Sequence, residues 1–444
     1  MKHAINFFIV FFLTLLSCEG YLDVKPRSEL VVPNTLEDFQ QLLDNGAIMY
    51  TEPELLEILS DDYYFEKSYW QSISDQVVRN AHVWAEDIYG TVESHSSWSS
   101  GYQKVFYANV VLDGLVSIPR TSTNATRYDQ IKGQALFVRA KALYTLAQLF
   151  AYPYTPGEDS EFGLPLPIKS DVNEVVSRQS VQETYRFIVD DLRSAMPLLP
   201  EDIRHDRPSR VAVYGLLARV YLVMGDYAQA KDNAIKALAI YDDITDLNAA
   251  GSRSYRSSIY LSIISPASYI TNLNPSIFIS AELMGLYDPE DLRLIHYYRY
   301  NAQMQPSKKD FRGIPVSAFS GLDTEEMILI YAECLAREEA VGEAIAQMER
   351  LLVRRYRTGH YSSPSLTDPE DVIEWVLQER RKELVFRGIR WSDIRRLNEQ
   401  GYRISLERNM GDEVYRLDYE DRGLWTLPIP TNEVISSHIK QHIR

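Results

Sequence analysis

Tyrosine and tryptophan are the side chains in this sequence whose types and grouping most clearly suggest binding chemistry. The 444-residue chain holds 30 Tyr and 6 Trp against 15 Phe. Each Tyr or Trp ring combines a flat apolar face with a polar atom, and a sugar needs both, one for its C–H side and one for its hydroxyls. Residues 61–89 are rich in such rings. From this stretch we predict the ligand contacts Tyr63, Tyr64, Tyr69, Trp70 and Trp84.

A second group of tyrosines lies in residues 251–319, where the helical spacing of apolar residues is lost. We interpret this stretch as an insertion of loops and short elements, a kind of region that often carries function on a rigid scaffold. It adds the predicted ligand contacts Tyr255, Tyr260, Tyr297 and Tyr298. The alternative role for an aromatic residue is packing, which we expect for Tyr144 on a helical pattern and for Trp98 and Tyr102.

The sequence lacks the common catalytic signatures. It has no Gly-x-Ser-x-Gly elbow, Gly-x-Gly-x-x-Gly turn, P-loop or His-Glu-x-x-His helix. Its eight histidines are scattered, so we predict neither a metal site nor a cofactor. Adjacent acids occur at Asp61-Asp62, Glu86-Asp87, Asp190-Asp191 and Asp242-Asp243. Neighbours in sequence do not oppose each other as glycosidase carboxylates do, so we interpret these pairs as solvated helix ends and predict a protein that is not an enzyme.

The charged run at residues 379–396 is interpreted as a structural network of ion pairs. On a helix, Glu379 lies one turn from Glu383 with arginines beside both. We expect the same helix to bury residues 384–386.

The net charge argues against two classes of partner. It is -16 at pH 7, with a pI of about 5.1. Phosphate recognition needs a basic face, so we exclude nucleic-acid binding. A polybasic patch that would dock on anionic lipid is excluded for the same reason.

Residues 1–18 have the pattern of a lipoprotein signal peptide. A lysine precedes an apolar run over residues 4–16, and Ser17 and Cys18 follow. The run is too short to span a membrane comfortably. The last four residues, Leu-Leu-Ser-Cys, resemble a lipobox. We therefore predict that Cys18 is diacylated, since two acyl chains give a stable membrane anchor, and that residues 19–34 form a tether.

Helix starts are marked by a capping residue before an apolar run. The predicted caps are Thr35, Ser180, Asp226, Asp323 and Asp368. The clearest repeat is a tetratricopeptide-like helix pair at residues 211–241, in which Gly225 ends the first helix before Asp226 caps the second. Residues 325–355 repeat this pattern more loosely, and residues 128–150 and 180–199 are predicted to form a third pair.

These patterns predict one mainly all-α domain over residues 35–444. Its scaffold of tetratricopeptide-like helix pairs covers about residues 100–241 and 323–356, and the insertion at residues 251–319 is loop-rich.

The order of the segments resembles the SusD/RagB family over nearly the whole mature chain. Each motif is short, and their joint order carries the resemblance. The motifs are YLDVKP at residues 21–26, WSSGY at 98–102, QALFVRA at 134–140, the repeat region at 210–237, ERRKEL at 379–384, FRGIRWSDIRR at 386–396 and LPIP at 427–430.

The resemblance implies a mainly helical fold in which tetratricopeptide-like helix pairs pack against an irregular, loop-rich ligand-binding side. It implies a protein held by its lipid anchor at the outer membrane, facing the cell exterior. It also implies a lid-like position on a SusC-like TonB-dependent transporter. The implied ligand is an oligosaccharide or polysaccharide, or a peptide as in some branches of the family. Two alternatives remain open: a tetratricopeptide scaffold lipoprotein that binds only protein partners, and a surface hydrolase.

Overall fold

The computed structural model describes residues 33–249, 257–264, 269–270, 274, 276–309 and 318–444. Residues 1–32, with Cys18, and Tyr255 lie outside the described residues. The described chain is mainly helical, as predicted, and no helix in it is both long enough and apolar enough to cross a bilayer. The helices are α1 (Leu36–Leu43), α2 (Gly46–Met49), α3 (Leu55–Ile58), α4 (Lys67–Ser72), α5 (Gln76–His82), α6 (Ser96–Leu115), α7 (Ala125–Phe150), α8 (Val181–Ala195), α9 (Arg210–Met224), α10 (Tyr227–Ile240), α11 (Ala281–Met284), α12 (Arg293–His296), α13 (Thr324–Arg337), α14 (Val341–Leu352), α15 (Pro369–Glu383), α16 (Arg390–Glu399) and α17 (Thr431–Ser437).

The strands in these ranges are short and pair two by two. They are β1 (Thr51–Glu52), β2 (Tyr63–Phe65), β3 (Ser258–Tyr260), β4 (Ile263–Ile264), β5 (Ile277–Ile279), β6 (Tyr298–Tyr300), β7 (Pro306–Lys308), β8 (Leu322–Asp323), β9 (Leu406–Met410) and β10 (Glu413–Leu417). Strands β1 and β4 are parallel, whereas β2–β5, β3–β8, β6–β7 and β9–β10 are antiparallel. Several of these pairs join segments far apart in sequence, so they fasten the irregular side to the scaffold.

The helix pair α9–α10 confirms the clearest predicted repeat. Gly225 ends α9 with a backbone φ of +73°, a left-handed conformation that glycine adopts without a Cβ clash. The Asp226 side chain then accepts a hydrogen bond from the Gln229 N–H and caps α10. Small buried residues such as Ala218 and Ala234 let the two helices approach closely.

The other predicted pairs also pack together. Helices α13 and α14 contact each other, as do α7 and α8. Thr35 and Ser180 form complete capping boxes, and Asp323 and Asp368 accept hydrogen bonds from their own first turns. The scaffold is therefore built from helices whose ends are specified by local residues.

A buried ion network ties the insertion to this scaffold. Arg293, at the start of α12, contacts Asp291 at 2.7 Å and Glu379 at 2.6 Å. Arg355, just after α14, contacts Glu383 at 2.8 Å. Burial opposes ionisation of Glu383, but Arg355 lowers its pKa to about 2. The prediction that residues 379–396 contain a structural charge network is confirmed.

The helix that carries this network ends earlier than the sequence suggested. Helix α15 stops at Glu383, and Phe386 has a φ of +60° that no helix accommodates. The prediction that residues 384–386 continue the helix is therefore wrong, although all three side chains are buried.

Candidate ligand-binding site

The nine predicted ligand contacts fall into three groups. Three lie on or beside α4 and are partly exposed: Tyr64, Tyr69 and Trp70. Five are buried: Tyr63, Trp84, Tyr260, Tyr297 and Tyr298. Tyr255 lies outside the described residues. The two regions of the chain that supplied these candidates do meet, because β2 pairs with β5, with Tyr63 opposite Ile279.

The buried rings are engaged by the protein itself. The indole N–H of Trp84 donates to the Leu59 carbonyl at 2.9 Å, and the Arg408 guanidinium lies 4.6 Å from the ring centre. The hydroxyl of Tyr297 donates to Glu383 at 2.8 Å. The hydroxyls of Tyr287 and Tyr298 are 2.7 Å apart. In this arrangement these rings present little surface to solvent.

Trp70 forms the centre of the partly exposed group. Its indole N–H donates to the Arg79 carbonyl at 2.9 Å, which fixes the orientation of the ring on the short helix α4. The ring centre lies 6.1 Å from that of Tyr415 on β10, with the planes inclined by 59°. Two rings from separate elements therefore share one partly open surface.

Tyr69 joins this surface to the insertion. Its ring packs against Phe65 at 5.3 Å, and its hydroxyl accepts a hydrogen bond from the Asn274 amide at 2.7 Å. The same amide group donates to the Tyr269 carbonyl, and the Tyr269 hydroxyl lies 2.9 Å from Ser74 Oγ. Partial burial raises the pKa of Tyr69. The phenol thus stays neutral at physiological pH and keeps its proton for donation. We call Tyr69, Trp70, Tyr269 and Tyr415 together the aromatic surface.

Tyr64 lies near this group on β2. Because side chains alternate along a strand, Tyr64 points away from the buried Tyr63 and Phe65. Its ring packs on Phe278 of the paired strand at 5.8 Å. It remains a candidate contact beside the aromatic surface.

Charged groups border the aromatic surface where α4 faces the β9–β10 hairpin. Lys67 forms an ion pair with Asp412, in the turn of the hairpin. The Tyr415 hydroxyl donates to the Glu413 carboxylate at 2.7 Å, and this hydrogen bond raises the pKa of Tyr415. The border thus supplies carboxylate acceptors suited to the hydroxyl groups of a ligand.

Tyr415 was missed by the sequence analysis, although a signal for it exists. Gly411-Asp412 is a dipeptide typical of a two-residue hairpin turn, and it forms that turn with Gly411 at a φ of +75°. This dipeptide would have placed Tyr415 on a returning strand. The preceding strand shows no apolar alternation in sequence, because its buried middle position is Arg408.

Buried charges hold the strand behind the aromatic surface. Arg381 contacts Asp62 at 2.8 Å and Asp61 at 3.0 Å, and Arg390 contacts Asp61 at 2.7 Å. Burial works to raise the pKa of Asp61, but Arg390 and Arg381 lower it below its usual range. The interpretation of this acidic pair as a solvated helix end is therefore wrong.

Another of the acidic pairs also departs from that interpretation. Asp191 is 6% exposed and pairs with Arg139 at 2.7 Å. Glu86, Asp87, Asp242 and Asp243 are exposed, as predicted. Each buried member of these acidic pairs is neutralised by an arginine distant in sequence.

Within the described residues no group of three or more His, Cys, Asp and Glu side chains is arranged to hold a metal ion. The chemistry of the aromatic surface is therefore that of rings, hydroxyls, an amide and carboxylates.

Known protein families and relatives match this chain in sequence. Residues 20–222 match a family model described as starch-binding, associating with the outer membrane, and residues 325–439 match the model of the SusD family. SusD-like protein P2 of Formosa agariphila is 24% identical, and the match covers 76% of this chain and 77% of that protein.

Solved structures agree in fold. A SusD superfamily protein from Bacteroides thetaiotaomicron has a TM-score of 0.75 at 20% identity, covering 92% of this chain and 100% of its own. A SusD-like carbohydrate-binding protein from Bacteroides vulgatus has a TM-score of 0.68 at 19% identity, covering 91% of this chain and 97% of its own. Two family models matching successive parts of the chain, and a shared fold over its length, lead to one conclusion: the chain belongs to the SusD/RagB family.

Proposed function

We propose that this protein captures an oligosaccharide or polysaccharide on the aromatic surface at the outside of the cell. The observation that carries the proposal is the partly exposed Trp70–Tyr415 pair, oriented by hydrogen bonds and bordered by the Tyr69 hydroxyl. A pyranose ring can lie against the indole while its hydroxyls bond to the phenol and to nearby carboxylates. SusD family proteins bind their ligands and are not enzymes, and the carbohydrate-binding relative from B. vulgatus supports a glycan as the ligand.

The partner in this proposal is a SusC-like TonB-dependent transporter, to which the bound glycan is delivered. The family description, which includes association with the outer membrane, supports this location. Diacylation of Cys18 would hold the protein there. The test is purification in mild detergent from cells that express a SusC-like barrel. We expect wild-type protein to retain the barrel and Cys18→Ala protein to leave the membrane or remain unprocessed.

Ligand binding is tested by titrating the mature protein with glycans of defined linkage and, in parallel, with peptides of the same length. Saturable binding of at least one glycan class, with no product released, supports the proposal. Binding of peptides alone favours the peptide-capturing alternative. Partner proteins bound without any glycan or peptide ligand favour the tetratricopeptide scaffold alternative, and cleavage of a glycan indicates a hydrolase.

A further inference from the structure

A concave surface lies apart from the aromatic surface. A groove of about 400 Å³ is formed by α6, the loop at residues 165–176 and the chain around α17. Its floor carries Trp98, Tyr102 and Phe106, which are four residues apart and therefore share one face of α6. None of the residues of the aromatic surface lines this groove.

The loop that forms one wall is fixed in place by hydrogen bonds to α6. The Tyr102 hydroxyl donates to the Pro165 carbonyl at 2.9 Å, and the Asn109 amide donates to the Pro167 carbonyl at 2.9 Å. The Ser170 N–H donates to the Asp113 carboxylate at 2.7 Å. These polar groups of α6 are thus used within the protein. The wall is organised before any partner arrives, which lowers the ordering cost of binding.

Apolar and aromatic side chains line the groove. Val172 is 78% exposed, and the other such residues are Trp98, Tyr102, Phe106, Pro165, Pro167, Val176 and Ile439. An open apolar lining gains from burial against another apolar surface. Ser99 and Gln103, both exposed on α6, add uncharged polar groups that can bond to a peptide main chain. An extended polypeptide offers both apolar side chains and main-chain polar groups.

The charge of the rim indicates which charge the partner should carry. The ionisable residues that line the groove are Asp171, Glu174, Glu433 and Lys169. Three carboxylates against one ammonium group leave the rim acidic, so a basic side chain beside an apolar anchor would be complementary to it. We propose that this groove binds an extended polypeptide segment of another protein, in which an aromatic or branched apolar residue lies next to an arginine or lysine.

The test uses the mature protein and a phage-displayed library of 12-residue peptides. Peptides selected on wild-type protein are synthesised and titrated into three proteins: wild type, the double variant Val172→Lys with Val176→Lys, and Val116→Lys. Val116 is the matched control because it is 84% exposed at the far end of α6. All three proteins should have nearly the same melting temperature and bind the same glycan, since the substituted side chains are partly or wholly exposed and lie outside the aromatic surface.

We expect the selected peptides to combine an apolar anchor with a basic residue. Their Kd should rise at least tenfold for the double variant and stay unchanged for Val116→Lys. Peptides that are acidic, that bind the double variant as tightly as wild type, or that fail to emerge from selection would overturn the proposal. So would displacement of the peptide by the glycan, or a wild-type dimer in sedimentation that the double variant abolishes, because the occupant would then be a glycan or a second copy of this chain.

Discussion

The ends of the scaffold helices and the strand behind the aromatic surface are specified in different ways. In the scaffold, helices α9 and α10 are joined by a glycine and capped by the very next residue, Asp226, so the turn between them is specified within a few positions. On the irregular side, β2 is held by Arg381 and Arg390, more than 300 residues further along the chain from the carboxylates they contact. Local signals set the helix ends, and long-range charge pairs position the candidate site.

Removing one long-range ion pair should therefore produce the largest loss of folding stability. Arg381→Ala leaves the carboxylates of Asp61 and Asp62 buried without this partner. We expect the free energy of unfolding to fall by about 3–5 kcal/mol, measured by urea denaturation. Arg350→Ala is the control on the scaffold, because its side chain is 36% exposed and pairs with the exposed Asp242. That variant should lose less than about 1 kcal/mol, and an equal loss in both would contradict the comparison.

Truncation of Trp84 tests whether its buried ring stabilises the irregular side. It is 3% exposed, and Arg408 lies against its ring. Trp84→Ala should lower the free energy of unfolding by about 3–5 kcal/mol, as is usual for a truncated core tryptophan. Near-normal melting of this variant would show that the ring contributes little to the core.

Two buried glutamates should contribute to folding stability with opposite dependence on pH. Burial and the nearby Asp62 raise the pKa of Glu57 to about 7, whereas Lys104 and Lys141 overcome burial and lower that of Glu52 to about 2. The contribution of Glu57 to stability is therefore present below pH 4.5 and lost as the pH rises towards 7. The contribution of Glu52 is present above pH 4.5 and lost as the pH falls towards 2.

Replacing each of these glutamates by glutamine should change the free energy of unfolding at pH 8 in opposite directions. At pH 8, Glu57→Gln should raise the free energy of unfolding by about 1–3 kcal/mol, and the gain should vanish near pH 4.5. Glu52→Gln should lower it at pH 8. Urea denaturation of both variants at pH 8 and pH 4.5 gives the four values, and a destabilised Glu57→Gln protein at pH 8 would contradict this assignment.

Removing a helix cap on the scaffold should lower the free energy of unfolding least among these substitutions. Ser180 accepts a hydrogen bond from the Glu183 N–H and begins α8. Ser180→Ala should cost about 1 kcal/mol in the same denaturation assay and leave ligand affinity unchanged. A change in affinity would show that the two regions are coupled through this helix.

The same contrast explains what could be predicted from the sequence. The caps at Ser180 and Asp226 and the turn at Gly225 are specified by neighbouring residues, so the helix pairs were predicted correctly. The burial of Asp62 depends on Arg381, and nothing local in the sequence joins them. The partner of Trp70 on the aromatic surface, Tyr415, lies on a hairpin whose Gly411-Asp412 turn was visible in the sequence but whose docking position was not.

The composition identified aromatic residues as candidates, but it could not separate those that contact a ligand from those that pack in the core. Trp70 and Trp84 lie fourteen positions apart, yet one is partly exposed and the other buried. The difference arises from tertiary contacts: Trp84 is enclosed beside Arg408 and the Leu59 carbonyl, whereas Trp70 packs at the edge of the core beside the ring of Tyr415. Burial of a single aromatic residue is a property of the assembled fold.

The affinity of Trp70→Ala for the glycan that wild-type protein binds is the most direct test of the aromatic surface. We expect the variant to lose more than about 1 kcal/mol of binding free energy, roughly fivefold in Kd, with a near-normal melting temperature. The control is Trp375→Ala, which removes a partly exposed tryptophan on α15 and should bind as wild type does. Wild-type affinity in Trp70→Ala, or early melting of that variant like that expected for Trp84→Ala, would contradict the account.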